Sequence, residues 1–285
     1  MEIGIEKIRL EKPIEELLRF SIINIDKPTG PTSFTVSQFV KNSLNINKTS
    51  HFGTLDPMVT GVLPVALGRA CRLNDYFMHR DKEYVGIMRI HEDVPEEKLK
   101  EALKSFIGKI TQLPPVRSRV KRAERVREVK EFKILEIDGK DVLFHTIVQA
   151  GTYVRKLIHD LGEKIGGAHM IELRRIKAGI FDESTLVNLY DLEKAIESYK
   201  EGSESALRKI LIPGEIVSQV LPVIQVKSES LKQLLTGKPL MKSDIIGTLP
   251  KNATHIAVFH NEQFIEVARV VKEGDIIAKP EFVFN

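Results

Sequence analysis

The loop His51-Phe52-Gly53-Thr54-Leu55-Asp56-Pro57 carries the side chain with the most direct route to chemistry, the carboxylate of Asp56. A positioned carboxylate works as a general acid or base, or as a nucleophile. Pro57 disfavours the α region for Asp56, so the carboxylate leaves the backbone in a restricted direction. Read alone, the Asp-Pro step fits an ordinary turn as well. Arg155 is a second such group, in Gly151-Thr152-Tyr153-Val154-Arg155, at the start of a predicted helix whose apolar stripe excludes it. The positive end of a helix dipole favours acids, so an arginine in that turn expects either an anionic partner or open solvent. Tyr84, in Lys82-Glu83-Tyr84-Val85-Gly86, opens a predicted strand, where a half-buried sheet aromatic is the plain alternative to a site residue. His51 reads as a polar loop residue, and Leu173-Arg174-Arg175 as a core leucine beside a solvated basic pair.

Elements must hold these groups in place. Ser21 to Asp26 reads as a strand, followed by the turn Lys27-Pro28-Thr29-Gly30-Pro31-Thr32-Ser33, which ends in helix-capping residues. Val36, Phe39, Val40 and Leu44 then form one helical stripe. Val62 to Leu67 is apolar throughout, and Tyr84 to Ile90 reads as a strand. Pro95 to Ile107 reads as an amphipathic helix with proline in its first turn. Phe132 to Ala150 predicts a hairpin about Asp138-Gly139, a dipeptide that suits a type I′ turn. The helix carrying Val154, Leu157, Ile158, Leu161 and Ile165 stops at Gly166-Gly167. Strands and helices interleave without a strict βαβ rhythm, which predicts an α+β fold with a mainly antiparallel or mixed sheet. From Val223 the pattern changes to short strands with one brief helix at Ser228 to Thr236, predicting a small β-rich second domain.

The chain has 285 residues, 42% hydrophobic and 29% charged, which excludes disorder as its main character. Its one cysteine, Cys71, leaves no disulfide framework or cysteine-rich zinc site and fits a reducing compartment. No apolar run spans a bilayer, and the N-terminus lacks the apolar core of a signal peptide. Neither G-x-G-x-x-G nor G-x-x-x-x-G-K-[ST] occurs, so dinucleotide and P-loop chemistry are unsupported. The net charge is only +4, but residues 117–133 hold eight of the Lys and Arg residues against three acids. Such a stretch predicts a polyanion-binding surface.

Five ordered runs tie these residues together. They are Asp26-Lys27-Pro28-x-Gly30-Pro31-Thr32-Ser33, His51-x-Gly53-Thr54-Leu55-Asp56-Pro57-x-x-Thr60-Gly61-Val62-Leu63-Pro64, Lys82-x-Tyr84, Gly151-Thr152-Tyr153-x-Arg155 and Ala168-His169-Met170-x-Glu172-Leu173-Arg174-Arg175. Their order resembles the TruB-type pseudouridine synthases. Glu11-Lys12-Pro13-Ile14-Glu15-Glu16-Leu17-Leu18, the Pro114 to Arg122 run and Ile134-Leu135-Glu136-Ile137-Asp138-Gly139 resemble its archaeal and eukaryotic branch. That branch is dyskerin-like, the catalytic subunit of box H/ACA ribonucleoproteins. The resemblance implies a catalytic domain over 19–215, a PUA RNA-binding β-barrel over 216–285, and an N-terminal extension, 1–18, that packs on the barrel in relatives.

The resemblance implies isomerisation of uridine in RNA, with no cofactor and no metal. Asp56 would be the nucleophile, or the base that starts a glycal route, and Arg155 would pair with it as a buried, desolvated partner. Tyr84 would lie against the base and remove the C5 proton, Leu173 would line the apolar wall, and His51 would stack near the flipped nucleotide. Lys27, Arg119, Lys121, Arg122 and Arg174 are the further candidate substrate contacts, although the family reads Lys27 as scaffold. Implied partners are guide RNA, rRNA or tRNA, and small H/ACA proteins, in an archaeal-type cytoplasmic setting without a membrane. A stand-alone synthase acting on the tRNA T-loop uridine is the alternative, and a non-catalytic RNA-binding scaffold a remote one. Two departures stand out: Phe52 replaces the glycine usual in the branch, and Lys242-Ser243-Asp244 replaces a Pro-Gly of its PUA domain.

Overall fold

The apolar run predicted from Val62 forms a strand because both of its faces meet core. Leu63 and Val65 pack with Ile23 and Ile25 on one side, while Val62 and Ala66 pack with Phe20 and Ile22 on the other. The computed structural model describes residues 2–114 and 122–285.

Among the described residues a large sheet contains β1 (Ser21–Lys27), β2 (Thr49–His51), β3 (Thr60–Leu67), β4 (Lys82–Ile90), β5 (Gly108–Gln112), β6 (Arg125–Asp138), β7 (Asp141–Val148), β8 (Ala168–Ala178), β9 (Phe181–Asp182) and β10 (Ile212–Pro213). Its order is β10-β1-β3-β8-β4-β7-β6-β5, with β2 on β3 and β9 on β8. The β3–β8 pair is parallel and the other ladders are antiparallel, so the sheet is mixed and mainly antiparallel. A second sheet follows, containing β11 (Val223–Val226), β12 (Leu240–Met241), β13 (Ile245–Ile246), β14 (His255–His260), β15 (Gln263–Glu273) and β16 (Ile276–Val283), in a barrel-like order β12-β16-β15-β14-β11-β13.

Seven helices bear on the argument: α1 (Ile5–Glu11), α2 (Ile14–Arg19), α3 (Ser33–Ser43), α4 (Asn74–Met78), α5 (Glu96–Lys104), α6 (Val154–Ile165) and α7 (Leu189–Lys200). Thr32 caps α3 through its side chain, which accepts from the Thr35 N–H at 3.0 Å. Gly166 ends α6 in the left-handed region at φ 88°. Pro95 stands one residue before α5, at its N-cap position, instead of inside the first turn. The predicted type I′ turn is also corrected. Asp138 pairs with Asp141, so the loop residues are Gly139 and Lys140, and of these only Gly139 has a positive φ. That is the pattern of a type II′ turn, because type I′ needs both loop residues left-handed.

The second core cluster joins the parts of the chain. Ile3 and Ile8 from the N-terminal segment, Phe20 and Ile22 from the entry to β1, and Phe259, Phe264 and Phe282 from the second sheet share it. Phe20 stacks on Phe264 at 5.3 Å and on Phe284 at 4.3 Å between ring centroids. Lys7 bonds Glu262 at 2.7 Å, and the nearly buried Lys12–Glu215 pair closes at 2.5 Å. The departure at 242–244 forms a 3₁₀ turn in which buried Asp244 accepts from the Ser230 hydroxyl (2.8 Å) and the Met241 N–H (2.9 Å).

Candidate active site

The Asp56 loop links β2 to β3, and its backbone is fixed on both sides of the acid. The Ser33 hydroxyl donates to the Leu55 carbonyl at 3.0 Å and accepts from the Leu55 N–H at 2.8 Å. Beyond the acid, the Lys27 ammonium donates to the carbonyls of Pro57 (2.9 Å), Val59 (2.9 Å) and Pro28 (2.8 Å). The Gly30 N–H adds a bond to the Pro57 carbonyl at 2.9 Å. The strand–turn–helix unit that precedes the loop in sequence therefore clamps it in space.

Arg155, in the first turn of α6, reaches across to Asp56 with a nitrogen–oxygen distance of 2.9 Å. This resolves the oddity of an arginine at a helix start in favour of an anionic partner. The expectation of a buried pair is corrected: the side chains are 57% and 54% exposed, because the loop faces outward over the sheet. An open pair of this kind stabilises the fold by only about 0–1 kcal/mol. It strengthens when a bound molecule displaces the surrounding water.

Tyr84 is buried in β4 and lies opposite Arg175 of β8. Leu173, also buried, lies opposite Gly86. A Cβ at Gly86 would stand 2.9 Å from a Leu173 methyl and 2.8 Å from the Glu172 carbonyl, so glycine there makes room for the leucine. His51 bonds the Thr54 hydroxyl through Nε2 at 3.0 Å. Burial, and then the Arg175 charge, hold its imidazole below the usual histidine pKa of 6.5, which keeps it neutral at pH 7. Phe52 turns away into the core behind the loop and stacks on Phe77 at 5.0 Å.

Other candidates are placed differently. Lys27 is fully buried on backbone carbonyls, so it is scaffold and not a substrate contact. Burial lowers its pKa, while nearby Asp56 acts in the opposite sense. The Arg174 guanidinium is committed to Asp26 (2.9 Å) and Glu183 (2.7 Å). Arg175 is 1% exposed, which corrects the reading of a solvated basic pair: alternation along β8 sends the two arginines to opposite faces. Arg119 and Lys121 lie outside the described residues, and Arg122 is exposed. Lys130 pairs with Asp81 at 2.5 Å and Lys133 with Glu131 at 2.7 Å, so part of the basic stretch is internally neutralised. Two residues that matter here, Ser33 and Arg175, carry no individual sequence signal beyond a capping residue and a basic pair. The β3–β8 and β4–β8 registers reveal the second of them. No cluster of metal-ligating side chains occurs among the described residues, nor any helix long and apolar enough to cross a membrane.

Comparison with known proteins completes the assignment. The model of the TruB family pseudouridylate synthase N-terminal domain matches residues 41–154, and that of the tRNA pseudouridylate synthase B C-terminal domain matches 155–218. A probable tRNA pseudouridine synthase B of Methanothermobacter thermautotrophicus is 45% identical over 239 residues, 83% of this chain and 74% of the relative. Its counterpart in Archaeoglobus fulgidus is 39% identical over 272 residues, 94% of this chain and 84% of the relative. Among solved structures, the chain is similar to one in a Cbf5–Nop10–Gar1 complex, with a TM-score of 0.88 and 39% identity over 97% of this chain and 88% of that one. A chain in an H/ACA ribonucleoprotein bound to a substrate RNA containing 2′-deoxyuridine gives a TM-score of 0.87 and 37% identity, over 97% and 89%. An open carboxylate–guanidinium pair on a mixed sheet, the five ordered motifs and these matches agree: the chain belongs to the TruB family of pseudouridylate synthases, and its activity is pseudouridine synthesis in RNA.

Proposed function

We propose that the chain is the catalytic subunit of an RNA-guided H/ACA-type particle that isomerises chosen uridines of rRNA, with Asp56 starting the reaction. The observation that carries this is the 2.9 Å Asp56–Arg155 pair, open to a macromolecular substrate on a loop fixed from both sides. Asp56 attacks C1′ of the target, or removes the C2′ proton on a glycal route, and the N1–C1′ bond breaks. The freed uracil turns and C5 bonds to C1′ as the Asp56–C1′ bond breaks, or as C2′ takes its proton back on the glycal route; the C5 proton leaves and N1 gains one. No group enters or leaves overall and no redox change occurs, so the chemistry requires no cofactor. Arg155 keeps the carboxylate paired and aimed as RNA excludes water. Tyr84 lies against the base and takes the C5 proton, Leu173 lines the apolar wall, and neutral His51 stacks beside the extruded nucleotide. Turning a uridine out of its stack costs a few kcal/mol, which contacts elsewhere on the RNA offset.

For those contacts we assign residues 216–285 as a PUA-type RNA-binding domain, 19–215 as the catalytic domain and 1–18 as an extension packed on the former. Arg119, Lys121 and Arg122 serve as phosphate contacts, the partners are small H/ACA proteins, and the setting is cytoplasmic. Similarity to chains in Cbf5–Nop10–Gar1 and H/ACA structures supports guide dependence. The names of the sequence relatives favour a second reading, a stand-alone synthase acting on tRNA. Purified chain mixed with an unmodified tRNA transcript, without guide or partners, separates the two. Absence of pseudouridine supports the guided reading, and ready formation overturns it.

A further inference from the structure

Helix α6 presents Arg155 from its second residue, yet its first turn lacks the features that hold a helix start. Tyr153, at the N-cap, makes no side-chain capping bond, and the turn contains no acid. Arg155 and Lys156, the latter paired with Asp160, instead put two cations at the positive end of the helix dipole, which disfavours the turn. The first N–H groups of a helix have no partner within it, so such a start frays unless another element holds it.

That element is β5, the terminal strand of the large sheet. Its last residue, Gln112, is 3% exposed, and its side-chain amide grips both backbone groups of Tyr153. Oε1 accepts from the Tyr153 N–H at 3.0 Å, and Nε2 donates to the Tyr153 carbonyl at 3.2 Å. The same carbonyl accepts the first bond of the helix, from the Leu157 N–H at 2.9 Å. One donor and one acceptor meeting a single residue is the pattern of a hydrogen-bonded strand pair, here supplied by a side chain. Glutamate lacks the donor, asparagine is one methylene shorter, and leucine offers neither group. Upstream, the Gln149 N–H bonds the Glu128 carbonyl at 2.8 Å, which docks the end of β7 on β6 independently of position 112. Further along, Leu157, Ile158 and Leu161 anchor the helix through its buried stripe. What Gln112 sets is the backbone at the N-cap, two residues before Arg155.

We propose that Gln112 is a positioning residue for the first chemical step, fixing the start of α6 so that the Arg155 guanidinium meets Asp56. The inference rests on the reading above, in which that pair opens the reaction. Asp56 is Arg155's single partner among the described residues, and both side chains are more than half exposed. A long exposed side chain takes its aim from its backbone. The 2.9 Å pair is therefore set by two separate clasps: Ser33 and Lys27 on the acid's loop, and Gln112 on the cation's helix. A displacement of about 1 Å at a reacting group costs up to roughly 100-fold in rate, even when its cause lies away from the chemistry.

The test asks whether Gln112 acts through Arg155. Single-turnover tritium release from C5-labelled RNA gives a maximal rate and a half-saturating protein concentration, measured on the full chain under conditions in which wild type reacts. Gln112→Leu removes donor and acceptor at similar volume. Its maximal rate falls roughly 10- to 100-fold, while half-saturation stays within about 3-fold. In an Arg155→Ala background no guanidinium is left to aim, so the same substitution costs less than about 3-fold. An unchanged maximal rate, a loss carried by half-saturation, or an equal loss of rate in both backgrounds overturns the proposal. If Arg155→Ala reacts too slowly to read, the split between rate and half-saturation in Gln112→Leu decides alone. If Gln112→Leu does not fold by circular dichroism, Gln112→Glu, which keeps the acceptor for the Tyr153 N–H, replaces it in every comparison. A wild-type rate in Arg155→Ala or Asp56→Asn defeats the underlying reading whatever Gln112 does. Loss in those two with none in the Gln112 variant defeats the positioning role alone.

Discussion

At the scale of single residues, the site separates the groups proposed for chemistry from the groups that hold them. Asp56 and Arg155 are both more than half exposed, so neither contributes much to folding. Asp56→Asn and Arg155→Gln are each expected to change unfolding free energy by less than about 1 kcal/mol in urea titrations. Lys27 is the opposite case. Lys27→Met preserves volume but strands the carbonyl oxygens of Pro28 and Val59 and leaves that of Pro57 with only the Gly30 N–H. Each stranded group costs about 1–3 kcal/mol, so a loss of roughly 2 kcal/mol or more is expected in the same titration. Activity is expected to fall with it. Sequence reading singled out Asp56, Arg155 and Tyr84, because a proline step, a misplaced charge on a helix start and a strand-opening aromatic are each local signals. It took Arg175 for solvated, since burial of a basic residue depends on which strand crosses above it, and no local pattern carries that.

At the scale of elements, the Pro/Gly-punctuated turn between β1 and α3 acts as a clamp because Ser33 and Gly30 face the acid loop. Helices α3, α5 and α6 were legible in the sequence from their apolar stripes, and the hairpin from its Asp-Gly. The exact turn type was not, because it depends on strand register. The parallel β3–β8 pairing was equally hidden, being a long-range contact between strands of unremarkable composition. Gly61 makes that pairing possible: it has φ +96°, and a Cβ there would stand 2.2 Å from the Arg175 carbonyl oxygen. Gly61→Ala must therefore push β3 from β8 as well as strain its own backbone. A destabilisation of at least about 2 kcal/mol is expected, read as a lower thermal midpoint.

At the scale of the whole molecule, one core cluster binds the N-terminal segment, the large sheet and the C-terminal sheet. The change from helical to short-strand pattern near Val223 was visible in the sequence, whereas the aromatic stacking of Phe20 on Phe264 and Phe284 was not. The C-terminal sheet also hides Glu266, fully buried and without a hydrogen-bond partner among the described residues, with burial pushing its carboxyl up to about 8. A carboxyl whose folded pKa exceeds its unfolded value of 4.5 keeps a proton on folding that the unfolded chain has lost. Stability therefore falls as pH rises from about 4.5 to about 8 and levels off above that window. Glu266→Gln is expected to remove this slope and raise the thermal midpoint at pH 8, as followed by unfolding across pH. The central claim concerns Asp56, and its most direct test is tritium release from C5-labelled RNA in a particle assembled with guide and partner proteins. The account predicts release by the wild-type chain and none above background by a folded Asp56→Asn chain. Release by Asp56→Asn at a rate near that of wild type would contradict it.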